Sequence, residues 1–473
     1  MNLSTPPHTP TTPDAPRLLL VCGDAIGPRM AGPSIRAWEL AQALGRAGVP
    51  VTLAAPRIDR EGMAASGMVM GTGAVTAMAF DRRADSLRVA AEQADAILVQ
   101  GMGLAHHPFL GALDKPLIVD IYDPFVLENL PQRAADTPGG RRHHHASDLA
   151  ALCAQLERGD FFLCASAAQQ DFWLGMLTAL GRVNPDTYDD DPGLERLIGV
   201  LPFGLPADPP VVGAPVLRGV VPGIGREDKV LLWGGGIWNW FDPLSPIRAV
   251  AALAAERPDL RLVFMGSASP SLFTPKMAMA ERARTLAAEL GLLDRSVFFL
   301  PGWVPYAERA AYLLEADLGI SCHHPHIETR FAYRTRLLDC IWAGLPMLVT
   351  GGDVLADLVA GEDLGATVPP DDPAAIAAAL RTMLDRPRAA YAPAFDRVRP
   401  SMTWDAAARP LVDFMRDPRR APDRPRPGAG ADRLRPTGLR ELPARAVEIL
   451  REGGPLQLME EAVRYLRWLR RPG

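Results

Sequence analysis

Glu328, Arg330, Arg334, Arg336 and Asp339 crowd one short stretch of a 473-residue chain, between an apolar run at 318–321 and another at 347–350. Carboxylates can hold hydroxyls or move protons, and arginines pair with phosphate through fixed, forked donors. Helical spacing puts Arg336 and Asp339 on one face, where they could form a simple i,i+3 ion pair. Their apolar neighbours Leu337, Leu338, Ile341 and Trp342 instead suggest a largely buried helix, in which a charged pair has a purpose. Gly344 closes that helix, and Gly351 and Gly352 follow the second run. Strand, polar loop, helix, strand and glycine turn make the layout of a ligand site at the carboxyl edge of a parallel sheet.

Two further glycine turns follow apolar runs. Gly234, Gly235 and Gly236 come directly after residues 230–233, removing every Cβ where phosphate oxygens could approach backbone amides. Trp238 and Trp240 next to them suit stacking on a ring or simple cover of a cleft. Near the N-terminus, Gly27, Arg29, Gly32 and Ser34 lead into a helix, leaving N–H groups and a positive dipole end toward the same kind of cleft. The glycines do not follow Gly-x-Gly-x-x-Gly and no acid ends the second apolar run, so a nicotinamide enzyme is disfavoured. His143, His144 and His145 are adjacent and point in different directions, so no metal site is expected there. Of His323, His324 and His326, one is expected to face a ligand.

These residues need elements to hold them. Short apolar runs at 18–22, 51–55, 96–100, 117–121, 161–164 and 198–201 alternate with helix-length segments, as strands covered on both faces do. A Pro/Gly-rich stretch at 205–225 interrupts the series, which resumes at 230–233, 262–265, 297–300, 318–321, 347–349 and 366–368. The expectation is α/β architecture: a lead at 1–16, domains at 17–207 and 208–416 with parallel sheets, a linker at 417–438 and a helical tail at 439–473. Within that tail, Leu456, Met459, Val463, Leu466 and Leu469 recur at helical spacing among arginines. Such a basic amphipathic helix suits either the protein body or a membrane surface, through residues 456–471.

A net charge of −5 and 22% charged residues argue against nucleic acid as a partner. Five scattered cysteines fit a reducing cytoplasm, and residues 1–16 lack the features of a signal peptide. No run reaches the ~18 apolar residues of a spanning helix.

With these residues in view, the chain resembles bacterial glycosyltransferases of family 4 over most of 17–416. The resemblance rests on Arg336, Asp339, Gly344 and Pro346, placed as in that family's Lys-x-x-Glu-x-x-x-x-Gly-x-Pro pattern. The turns at Gly204, Gly266 and Gly302 add to it. It implies the GT-B fold, two facing Rossmann-like domains, and a nucleotide-diphosphate sugar as substrate with no cofactor and no metal. It further implies a retaining transfer to a glycan or lipid-linked acceptor, in the cytoplasm or peripherally at the inner membrane face. By the same resemblance, Asp339 would hold the ribose, the loop at Trp303 and Val304 would read the base, and Gly351-Gly352 would face phosphate. Lys276, Arg330, Arg334 or Arg336 would neutralise the diphosphate. The family's first acid would fall at Phe331, so Glu328 is the candidate to touch the donor sugar. The family's first-domain histidine is replaced by Asp120 and Asp123, which makes Asp123 the other catalytic candidate. A nucleotide-sugar 2-epimerase on the same fold, or a non-catalytic sugar-nucleotide-binding protein, are the alternatives.

Overall fold

The structure is a computed structural model that describes residues 15–68, 73–81, 83–134, 136–266 and 277–424, with isolated positions beyond. Lys276 and nearly all of the expected tail, including 456–471 except Met459 and Ala462, lie outside the described residues. Two parallel sheets organise the chain. The first has seven strands: β1 (Leu18–Val21), β2 (Val51–Ala55), β3 (Val75–Ala79), β4 (Ala96–Gln100), β5 (Leu117–Asp120), β6 (Phe161–Cys164) and β7 (Ile198–Val200), in the order β3-β2-β1-β4-β5-β6-β7. The second has six: β8 (Lys229–Trp233), β9 (Leu260–Phe264), β10 (Val297–Phe299), β11 (Leu318–Ser321), β12 (Met347–Thr350) and β13 (Gly365–Val368), in the order β10-β9-β8-β11-β12-β13.

Central strands β1, β4, β6, β11 and β12 are buried at every position, because helices cover both faces. β3 is the strand that the apolar runs do not reveal. It lies at the sheet edge and alternates buried with more exposed residues. In each sheet the order reverses beside the first strand, between β1 and β4 and between β8 and β11. Crevices at such switch points receive ligands in open α/β sheets.

The helix expected to begin around Ser34 starts earlier, at Gly32, with Pro33 in its first turn. Ser34 therefore sits inside it, and its hydroxyl donates to the Ala25 carbonyl (2.9 Å). The chain crosses between the layers at two adjoining points. Leu205 N–H donates to Met402 O (2.7 Å) and Trp404 N–H to Leu205 O (3.0 Å), so the outgoing and returning segments pair. The helix Arg409–Arg416 then lies on the first layer, with Phe414 stacked on Phe161 at 4.8 Å.

The linker expected at 417–438 does not begin as free chain. Asp423 pairs with Arg182 (2.8 Å) and Arg424 with buried Asp160, which fastens residues 423 and 424 to the first domain. Arginine-rich composition suggested a tether; buried acids on the body turn its first part into a strap. Among the described residues no helix is long and apolar enough to cross a membrane.

Candidate active site

The helix Thr335–Ala343 follows β11 and its short 3-10 turn Ile327–Phe331, and it points its first residues at the β8 turn. Arg336 donates through Nη2 to the Gly236 carbonyl (2.9 Å), while its Nη1 has no hydrogen-bond partner. Its guanidinium lies over Phe241 (4.1 Å) and Trp233 (5.2 Å), and no acid pairs with it among the described ion pairs. Burial, with Arg334 adding like charge, pushes its pKa down to about 9. Such a cation is still charged at neutral pH and gains from any anion brought beside it.

The expected i,i+3 pair with Asp339 does not form. Arg309, from the neighbouring helix Arg309–Glu315, takes the Asp339 carboxylate at 2.9 Å and is itself sandwiched between Tyr306 (3.6 Å) and Trp342 (4.5 Å). Arg309, stacked on two rings, holds the Asp339 carboxylate, while Arg336 is turned to the Gly236 carbonyl and the faces of Phe241 and Trp233.

The turn at 234–236 is open where ligand access requires it. A Cβ on Gly235, whose φ is +77°, would meet nothing within 4 Å, and one on Gly234 would meet only Arg336 Cβ at 3.9 Å. Gly236 is closed over by Trp303 and Trp238, the latter stacked on Trp240 at 5.8 Å. Gly351 is likewise open, and Gly352 (φ +117°) leads into Asp353, which caps the helix Val354–Gly361 through two N–H groups.

Glu328 is buried and bound by Arg334 at 2.8 Å, and Arg334 also faces Asp353 at 3.6 Å. Buried His323 lies 3.8 Å from the same Asp353, with its Nε2 unpartnered. Burial, reinforced by Arg334, drives His323 down to about 4, so it is neutral at physiological pH. Arg330 is exposed and leans on Phe331.

Asp123, from the other domain, faces this cluster. Burial first, and then the charge of Glu328, push Asp123 up to about 7. Glu128, on the helix Phe125–Gln132, is held well above the carboxylate range by burial and by Asp123, with which it is in hydrogen-bonding reach. Two carboxyl groups so placed share a proton at neutral pH. Asp120, by contrast, is structural: Arg36 grips both of its oxygens (2.7 and 2.8 Å) and Gln100 adds a third bond.

The two expected loops on opposite sides of the cleft touch. Trp303 Nε1 donates to Met30 O (3.1 Å), Tyr306 N–H to Pro28 O (2.7 Å), and Tyr306 hydroxyl to Glu39 (2.9 Å). Val304 packs, partly buried, against the core. Gln169 bridges the same divide, its amide donating to Tyr122 O (2.8 Å) and Phe331 O (2.7 Å). Gly27 is buried, and a Cβ added to it would meet Asp59 Cβ at 3.1 Å; Gly32 is open, and Arg29 is exposed.

The cleft brings Glu328, Asp123, Arg334 and Arg336 together, and with them Glu128, Arg309, Gln169 and Arg36, which the motif spacing does not point to. Glu128 follows Asp123 by five residues, which was its one signal; the others are brought in from remote segments and left none.

Comparison with known proteins bears on this geometry. Residues 228–386, about a third of the chain, match the family described as "Glycosyl transferases group 1". The matched stretch spans most of the second layer. That stretch supplies Arg336, Glu328 and both of the open glycine turns. The two layers of described residues together have the GT-B fold. A sucrose-phosphate synthase from Thermosynechococcus elongatus is similar at a TM-score of 0.58 and 16% identity, covering 85% of this chain and 98% of that one. WaaG, a glycosyltransferase involved in lipopolysaccharide biosynthesis, is similar at 0.58 and 17%, covering 84% and 99%. Anabaena Alr3699/HepE, solved with UDP and glucose, is similar at 0.59 and 12%, covering 85% and 99%. No curated protein sequence matches the chain.

Proposed function

We propose that this chain is a glycosyltransferase that moves a sugar from a nucleotide-diphosphate sugar to a glycan or lipid-linked acceptor, with retention of configuration. The observation that carries the reading is Arg336, a desolvated cation without an acid partner beside the open turn at Gly234 and Gly235. The match to group 1 glycosyl transferases supports it, as does the fold shared with proteins solved with UDP or a UDP-sugar. In this reading the leaving diphosphate lies against the glycine amides and Arg336, which meet the charge that develops as the glycosidic bond breaks, without a metal at the phosphates. Glu328, held in place by Arg334, touches the donor sugar. The Asp123–Glu128 pair faces it from the acceptor side, where a shared proton can be accepted or returned. The contacts of Trp303, Tyr306 and Gln169 are those of closed domains, and closure keeps water from the donor. The acceptor is met in the cytoplasm or at the inner membrane face.

The test is a thermal-shift panel of UDP-, GDP- and dTDP-sugars, followed by transfer assays with the donor that binds. Binding of one donor class, lost in Arg336→Gln, is expected; no shift with any of them sinks the proposal. Acids on both walls of the cleft also favour a second reading, nucleotide-sugar 2-epimerisation, which product analysis separates by the appearance of an epimer without acceptor.

A further inference from the structure

Three loops at the carboxyl edge of the second sheet bring Asp242, His324 and Asp371 together, with one ligand atom of each within 4.8 Å of the others. We propose that these three residues bind a divalent transition-metal ion of the zinc or manganese type. Asp242 is 1% exposed, and its Oδ1 accepts from the N–H groups of Leu244 (3.0 Å) and Ser245 (2.9 Å). Its Oδ2 is buried with no hydrogen-bond partner. An anionic oxygen stripped of water and of donors is unfavourable by itself, and a cation is the partner that its neighbours are equipped to share.

The scaffold is set before any ion arrives. Asp242 N–H donates to Cys322 O (2.9 Å), His324 N–H to Trp240 O (3.3 Å), and Phe241 bridges to His323. The loops after β8 and β11 are thereby stitched together on either side of the site. His324 and Asp371 have side chains 34% and 49% exposed, which opens the site to solvent on one side for entry and for water ligands. Their contact, His324 Nδ1 to Asp371 Oδ1 at 2.5 Å, shows that the two reach one another. Around an ion with bonds of about 2.0–2.2 Å, ligand atoms stand roughly 3.3–3.5 Å apart, so this edge opens and the longer ones close.

One imidazole with two carboxylates is a borderline donor set, matched to Zn²⁺ or Mn²⁺ better than the all-oxygen sets of Ca²⁺ and Mg²⁺. The ion would pin the loop that carries Gly234–Gly236 to the loops after β11 and β13. It is assigned to loop order and not to the diphosphate, so it does not depend on the activity proposed above.

The full chain, stripped with a chelator, is titrated separately with Zn²⁺ and Mn²⁺ by calorimetry, and its retained metal is measured after dialysis. One equivalent is expected, with affinity reduced at least about tenfold in His324→Ala and in Asp371→Asn, both at partly exposed positions where folding should survive. Asp242→Asn, which keeps the capping Oδ1, should behave likewise, while His143→Ala with His145→Ala should bind as the parent does. Retention of no metal by the parent chain, or undiminished binding in the His324 and Asp371 variants, overturns the assignment.

Discussion

Arg336 and Arg334 show how two arginines two residues apart take opposite roles. Arg334 is committed to Glu328 and Asp353, whereas Arg336 has a carbonyl, two aromatic faces and an unpartnered Nη1. Arg336→Gln should therefore leave the fold intact and weaken nucleotide-sugar binding by about 10- to 100-fold, the ~1.5–3 kcal/mol of lost charge-assisted bonds, measurable by calorimetry. Arg334→Ala should act first on stability, since it leaves two buried carboxylates without their cation; a loss of about 3–5 kcal/mol in denaturant unfolding is expected. If Arg334→Ala unfolds like the parent, the Glu328 carboxylate has another partner and its assigned position is wrong. Arg336 was legible from its place ahead of Asp339, but its freedom from Asp339 was not, because Arg309 comes from another helix.

At the scale of elements, the helix Phe125–Gln132 and the turn Ile327–Phe331 press acids against one another from different domains. Asp123 is raised above its unfolded value, so the closed arrangement binds a proton that the unfolded chain does not hold at neutral pH. The sign follows: the stability tied to that proton is complete below the ordinary carboxylate range and is lost as pH rises through about 7. The parent's melting temperature should fall between pH 5.5 and 8 relative to that of Asp123→Asn, in which the neutral amide holds that place at every pH. Parallel pH profiles for the two proteins would contradict a shared proton. His323, lowered from 6.5 to about 4, makes stability rise with pH up to its unfolded value, but it does so equally in both proteins and cancels from their difference.

The whole molecule closes through few polar contacts and turns on one tight crossing. A Cβ on Gly204 would lie 2.4 Å from the backbone of Trp404, where the outgoing and returning segments pair. Gly204→Ala should lower the melting temperature, at a cost of about 1–3 kcal/mol, because rigid backbone and not a side-chain tip stands in the way. Trp303→Phe keeps the ring and removes the donor to Met30 O, so it should loosen closure without unfolding the chain. The expected readout is a raised ratio of donor hydrolysis to transfer; an unchanged ratio would separate this contact from closure.

The sequence by itself determined the two-layer α/β plan, because strands covered on both faces must be apolar at every position and announce themselves as short runs. It also placed Glu328, Arg334 and Arg336 at the edge of the second sheet, since a strand-end loop stays there however the domains meet. It did not single out β3, a half-exposed edge strand whose Ala77, Met78 and Ala79 suit a helix as well as a strand. Only the tertiary structure decided which charges are paired and which are free: Arg309 on Asp339, Arg36 on Asp120, Glu128 beside Asp123, Asp242 beside His324 and Asp371. These partners are far apart along the chain or on different elements, and ion pairing depends on distance in space and desolvation, neither of which is written in local spacing.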